Sequence, residues 1–201
     1  MIAALFVSTN GIYFNDPRID CWDINRDARK YKGPHRVICH PPCKRWGRYW
    51  GGGPMLHGTE RQLLKGDDDG CFAHSLWVTR TFGGVIEHPE ASHAWPWYGL
   101  NKPPYQGGWI KADEFGGWTC CVSQGHYGHP GQKMTWLYAN GTDLPELKWG
   151  KASGKQLMED GFHSKEERAR LVKTGICQRM SKKQRAATPR EFKELLIGMV
   201  A

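Results

Sequence analysis

Apolar residues come in short runs separated by polar, glycine-rich stretches. Ile2–Val7 reads as a buried strand, and Ile19–Asp23 as a second that ends on a carboxylate. Ile24–Lys30 has the length for two helical turns. Arg36–Cys39 predicts a third strand, stopped by His40-Pro41-Pro42-Cys43 because two successive prolines remove two backbone donors. Lys44–Pro54, rich in Gly, Trp and Arg, predicts a loop. Asp69 is placed to cap a helix over Gly70–Phe82, with Phe72, Leu76 and Phe82 on one side and Gly83-Gly84 as its stop. Val85-Ile86 then predicts a strand running into Glu87-His88-Pro89. Trp118–Val122 and Lys133–Ala139 predict two more, joined by the turn-rich Gln124–Gly131. Beyond a linker over residues 141–163 the pattern turns helical. Ser164 with Glu167, and Thr188 with Glu191 beside Pro189, have capping-box spacing, and Phe192, Leu195, Leu196 and Met199 share one face of a final helix.

Strands alternating with helices or loops over the first ninety residues predict an α/β layer with a mostly parallel sheet, closed by an antiparallel pair from 118–139. Ligands of such sheets bind beyond the carboxyl ends of the strands. Asp23, His40–Cys43 and Glu87–Pro89 all fall at such ends, and this convergence is the first sign of a site.

The 201 residues suit one domain with an appendage, divided here as an α/β core over 1–141, a basic linker and helical segment over 142–187, and a terminal helix over 188–201 that packs back on the core. No run of 18 apolar residues exists, so no membrane partner is expected, and Met1–Phe6 is too short for a signal-peptide core. Seven cysteines in such a chain read as reduced thiols, which predicts a cytoplasmic setting. The formal charge of +8 is uneven: residues 148–201 hold thirteen Lys/Arg against six Asp/Glu, whereas residues 1–147 are nearly balanced. A basic tail on a Trp-rich body points to a polyanionic partner, most simply DNA, with Lys182, Lys183 and Arg185 as phosphate contacts; the plain alternative is a solvated basic face.

Cys43 follows a rigid Pro-Pro turn at a strand end, and Lys44, Arg45 and Arg48 next to it would favour its thiolate, as a nucleophile requires. Glu87, directly after an apolar strand, is expected to be partly buried with a raised pKa, able to protonate a ring nitrogen or accept from an exocyclic amine. A structural cysteine and a salt-bridging glutamate are the plain alternatives. Trp46, Tyr49, Trp50, Trp95, Trp97 and Tyr98 flank these strand ends and could stack on bases or simply fill loops. Zinc is the chemical rival: Cys39, His40, Cys43, Cys71, His74, His126 and His129 include ligand-like spacings, although none forms a paired Cys-x2-Cys knuckle, and no residue is assigned to a metal.

Four of these pieces, in order, resemble the catalytic core of DNA cytosine-5 methyltransferases. Pro42-Cys43 matches the family's Pro-Cys loop, and Glu87-His88-Pro89 stands where it has Glu-Asn-Val. Tyr127-Gly128-His129-Pro130-Gly131-Gln132-Lys133-Met134-Thr135 is similar to its Tyr-Gly-x-Pro-Gln-x-Arg-x-Arg strand. Arg185-Ala186-Ala187-Thr188-Pro189-Arg190-Glu191 is similar to its Arg-x-Leu-Thr-Pro-Arg-Glu helix start. The compact layout also looks like small methylase-like proteins of bacteriophages, which would act in the host cytoplasm.

The resemblance implies an incomplete Rossmann-like, methyltransferase-like α/β sheet with a basic helical C-terminal segment. It implies a Cys43 thiolate that adds to C6 of a cytosine, with Glu87 at N3 and the exocyclic amine, and Lys133 as the third catalytic position. His40, Pro42, Lys44, Arg45, Arg48 and His88 would border the base or the nucleic acid, with Asp23 at the rim of the same pocket. The implied methyl donor is S-adenosylmethionine, contacted by Phe6, Gly11 and Asp23. Several positions depart from the family: Ser8-Thr9-Asn10-Gly11 carries one glycine in place of a Gly-rich turn, Lys44 replaces the usual Gln, His88 the usual Asn, and Thr135 the second basic residue. Residues 142–184 stand in place of a large target-recognition domain. A catalytically inactive methylase-like binder of DNA or of a partner protein is a second reading and a metal-dependent nucleic-acid enzyme a third, and the oligomeric state is left open.

Overall fold

Four short apolar runs form the parallel half of a sheet: β1 (Ile2–Leu5), β2 (Ile19–Trp22), β3 (Val37–Cys39) and β4 (Gly84–Pro89). β5 (Ile110–Lys111), β6 (Trp118–Ser123) and β7 (Met134–Asn140) complete seven strands in the order β2-β1-β3-β4-β7-β6-β5. β1 pairs in parallel with both β2 and β3, and β3 with β4; β7 then runs antiparallel to β4 and to β6. The fold is α/β with a mixed sheet. It is a computed structural model, which describes residues 1–48, 64–153, 156–157, 164–166, 169 and 178–201. Residues 49–54 of the predicted 44–54 loop, Tyr49 and Trp50 among them, Glu167 and the side chain of Lys182 lie outside the described residues, as does most of the linker beyond residue 153.

Both faces of the sheet are covered, which is why its strands read as continuous apolar runs instead of alternating ones. α1 (Cys71–Phe82) lies against one face, where Leu5, Val37, Cys39, Ile86 and Cys121 meet Phe72, Leu76 and Val78. A C-terminal helix, Arg190–Val200, covers the other face, where Ala4, Ile38, Val85, Cys120 and Leu137 meet Phe192, Leu196 and Met199. The adjacent cysteines Cys120 and Cys121 therefore point to opposite cores. Gly84 opens β4 at φ +149°, and a Cβ there would sit 2.1 Å from the Val37 carbonyl oxygen, so only glycine lets β3 and β4 approach.

Local expectations differ in four places. Ile24–Lys30 yields only a 3-10 turn over Ala28–Lys30, because Asp23 accepts from the backbone N–H of Asn25 and Arg26 and holds a turn there. α1 begins after Gly70 with no side-chain cap; Asp68, not Asp69, accepts from the N–H groups of Gly70 and Phe72. Thr188 does not cap the last helix, whose preceding residue is the extended Pro189. The capping box forms instead at Ser181 and Gln184, on the short helix Lys182–Ala186. β5 and the short helix Ala94–Trp97 had no clear periodic signal.

Candidate active site

β1 has β2 on one side and β3 on the other, so the loops leaving β1 and β3 diverge and open a crevice at the carboxyl ends of the strands. A cavity of about 580 Å³ occupies it, lined among others by Tyr13, His40, Cys43, Glu87, Lys133, Lys183 and Arg185. Cys43, Glu87 and Lys133 thus come together from three separate chain segments.

The loop carrying Cys43 is fixed at both ends. His40 N–H donates to the Leu5 carbonyl, continuing the β1–β3 ladder, and Trp46 N–H donates to the Cys43 carbonyl. Trp46 is fully buried against Phe72, Trp97 and Tyr98. His88 lies beneath the loop, completely buried, with Nδ1 2.7 Å from Ser92 Oγ. Its other ring nitrogen is near the Pro42 carbonyl without a well-aligned hydrogen bond. Burial pulls the His88 pKa down to about 4, so the ring is neutral at pH 7 and props the Pro-Pro turn.

Glu87 is the centre of a hydrogen-bonded chain. Its Oε2 lies 3.0 Å from His40 Nδ1, and His40 Nε2 lies 2.9 Å from the Tyr13 hydroxyl. Gln124 Nε2 donates to Glu87 Oε1 and to Thr135 Oγ1, each at 2.9 Å. Burial works to raise the Glu87 carboxyl, but the His40 hydrogen bond and the nearby Lys133 ammonium overcome it and hold the pKa at about 2. This corrects the expected raised pKa: Glu87 is a carboxylate, an acceptor rather than a resident acid. Cys43 is also corrected. It is the exposed thiol among the described cysteines, yet surrounding protein and the Glu87 charge push its pKa up against a backbone hydrogen bond of Cys43 itself and the Lys133 charge.

The cations that follow Cys43 do not face it. Lys44 and Arg45 line a neighbouring cavity, Arg45 Nε donates to the Asp67 carbonyl, and Arg48 pairs with Glu90 at 2.9 Å. Trp46 and Trp95 are fully buried and cannot stack on a base; Trp95 Nε1 donates to Thr119. Tyr98 stacks on Phe72, and among the described rings of this group Trp97 is the exposed one. Lys133, at φ +21°, donates from Nζ to the Ala187 carbonyl at 3.0 Å, which draws the segment before the C-terminal helix over the cavity. Among the described residues no three His, Cys, Asp or Glu side chains are grouped to hold a metal ion, so the ligand-like spacings do not converge. No described helix is long and apolar enough to cross a membrane.

The neighbouring cavity, about 450 Å³, shares Phe6, Val7 and Pro42 with the first and is rimmed by Asp23, Asp27 and Asp67 to Asp69. Asp23 belongs here and not to the rim of the Cys43 cavity. Thr9 Oγ1 donates to it at 2.6 Å, lowering its pKa. Gly11 lies in the Cys43 cavity instead, in a turn where a Cβ would meet the Ser8 carbonyl oxygen at 2.7 Å. Phe6 borders both, held left-handed at φ +58°.

Sequence reasoning missed Gln124 and Tyr13 as parts of the site. Gln124 carries the same signal as Glu87, a polar residue at the carboxyl end of an apolar strand. Tyr13 has none, because it sits in an irregular connection. No family model, no curated protein and no solved structure matches the chain.

Proposed function

We propose that this protein modifies a pyrimidine base of DNA through a Cys43 nucleophile, in the manner of the cytosine-5 methyltransferases it resembles. The observation that carries the reading is the meeting of Cys43 and Glu87, far apart in sequence, in one cavity with Lys133 and the basic side chains of Lys183 and Arg185 at its wall. The strand order, a parallel half completed by three antiparallel strands, supports a Rossmann-like, methyltransferase-like sheet.

In this reading the target base leaves the duplex and enters the cavity. The ionised Glu87 accepts from the exocyclic amine of cytosine and lies beside N3, orienting C6 over Cys43. Lys133 offsets the Glu87 charge and lowers the cost of forming the thiolate. The residues of the neighbouring cavity fit a nucleoside-containing methyl donor. Asp23 directly follows β2, the place where dinucleotide-binding sheets use a carboxylate for ribose hydroxyls, Phe6 offers an apolar wall, and the aspartates of the rim, which they share with Arg29, Lys44 and Arg45, supply carboxylates for a cationic sulfonium. When bound, S-adenosylmethionine would supply the methyl group for C5.

The test is incubation with duplex DNA carrying 5-fluorocytosine or 5-azacytosine, with and without S-adenosylmethionine. A denaturant-stable protein–DNA complex is expected, absent in Cys43→Ala and strongly slowed in Glu87→Gln. The elevated Cys43 thiol and the Lys133 contact with Ala187 favour a second reading, a non-catalytic DNA or partner binder. Salt-sensitive DNA binding with no adduct under any condition would make that reading the better one.

A further inference from the structure

The hydrogen-bonded chain behind Glu87 has a property that its members lack singly. A carboxylate only accepts, so His40 Nδ1 must carry the proton directed at Glu87 Oε2. The opposite nitrogen, Nε2, faces the Tyr13 hydroxyl at 2.9 Å, and a hydroxyl can both donate and accept. When His40 is neutral, Tyr13 donates to Nε2; when it is charged, Nε2–H donates to Tyr13. The imidazole can therefore gain or lose a proton with both nitrogens paired and no heavy atom displaced. The other partner of the carboxylate, Gln124, holds its second oxygen but cannot titrate. Gln124 in turn is steadied by Thr135, so the plane of the carboxylate is fixed from two sides. His40 and Glu87 side chains are 13% and 11% exposed, which keeps water from competing for their bond.

We propose that His40 is the positioning residue and proton store of this site: it aims Glu87 at the base and, through Glu87, supplies the proton taken up by the pyrimidine ring. The proposal rests on the cytosine-modifying reading above. In the addition step the Cys43 thiol gives its proton to solvent water, the thiolate sulfur forms a bond to C6, the C5–C6 π pair moves to C4–C5, and the N3–C4 π pair becomes a lone pair on N3. N3 takes a proton from the Glu87 carboxyl as the His40 Nδ1 proton moves to Glu87. His40 passes from imidazolium to neutral imidazole and Tyr13 turns its O–H toward Nε2. In the elimination that follows substitution at C5, the C5 proton leaves to solvent water, its bonding pair restores the C5–C6 double bond as the C6–S bond breaks, and the N3 proton returns along the same path to His40. The charged and titratable groups facing this pair are Tyr13 from the β1–β2 connection, Cys43 from the loop after β3, His88 beside Glu87 on β4, and Lys133 ahead of β7. Tyr13 itself stays a neutral hydroxyl, because burial and the Glu87 charge push its ionisation well above the ordinary range.

The experiment follows adduct formation on 5-fluorocytosine duplex with S-adenosylmethionine across a pH series from about 5 to 8. His40→Gln keeps an N–H donor for Glu87 but cannot store a proton; it should form adduct about 100-fold more slowly and lose the imidazole limb of the pH profile. Tyr13→Phe should retain adduct formation with a displaced limb. Wild-type rates and an unchanged profile in His40→Gln would overturn the proposal while leaving the nucleophile assignment intact. No adduct in wild-type protein would sink the functional reading instead. In that event NMR of 15N-labelled protein decides the positioning half without substrate: a downfield, slowly exchanging His40 Nδ1 proton that disappears in Glu87→Gln supports it, and its absence from the wild type overturns it.

Discussion

Trp46 Nε1 donates to Asp68 Oδ2 at 2.8 Å, and both side chains are buried. The same carboxylate accepts from the N–H groups of Gly70 and Phe72 at the start of α1. One side chain therefore ties the loop that carries Cys43 to the first turn of the helix covering the sheet. Trp46→Phe removes the indole donor and leaves a buried carboxylate oxygen short of a partner. The expected cost is about 1–3 kcal/mol of stability in urea denaturation, together with faster hydrogen exchange in the 43–46 loop.

Thiol reactivity should separate Cys43 from the other described cysteines. Burial pushes Cys39 and Cys121 up to about 12 and Cys71 up to about 11, whereas Cys43 is exposed. Iodoacetamide at neutral pH should label Cys43 first, as peptide mapping would read. The negative Glu87 raises the Cys43 pKa, so Glu87→Gln should speed alkylation at fixed pH while slowing adduct formation on DNA. Slower alkylation in Glu87→Gln would mean that the two groups do not interact as the cavity places them.

The parallel strands and their carboxyl-end residues were legible because β1, β3 and β4 are buried on both faces, and each strand ends abruptly at a turn or a proline. That is why Cys43 and Glu87 could be paired from spacing. Charge at the site was not legible. Lys44, Arg45 and Arg48 follow Cys43 in sequence, but the tight turn after it sends them to other partners, while Lys133 arrives from nearly ninety residues away. The pKa of Glu87 was misjudged for the same reason: burial was readable from the preceding apolar run, but the His40 hydrogen bond depends on how β3 and β4 align. Trp46 shows the limit for aromatics, since a tryptophan in a Gly-rich loop reads alike whether it packs inward or faces solvent.

Acid should weaken the fold partly through Glu87. Its folded pKa of about 2 lies below the ordinary glutamate value of 4.5. The stabilisation is therefore fully present above about pH 4.5 and is lost as pH falls toward 2, because the unfolded chain binds the proton first. The difference corresponds to about 3 kcal/mol. Denaturation of wild type and Glu87→Gln across that window should show the wild type losing more stability, by roughly that amount. Parallel curves would mean that the His40 and Lys133 contacts do not hold the carboxylate ionised.

The basic wall of the cavity makes a quantitative claim about DNA. Lys183 is exposed and Arg185 half-buried, and both line the Cys43 cavity. If the proposed substrate is DNA, these side chains stand where phosphates flanking an extruded base would lie. Each phosphate contact releases condensed counterions, so binding should fall steeply with salt, with a log–log slope set by the number of contacts. Lys183→Ala and Arg185→Ala should each flatten that slope by about 1 and weaken all sequences alike, because phosphate contacts carry no base information. Arg36 serves as the control. It precedes β3 at the opposite end of the sheet and donates to the Ala201 carbonyl, so Arg36→Ala should leave the slope unchanged. Fluorescence anisotropy on a labelled duplex across a salt series reads all three. Equal slopes in wild type and in both cavity-wall variants would remove DNA phosphates from this wall and reduce the basic tail to a solvated face.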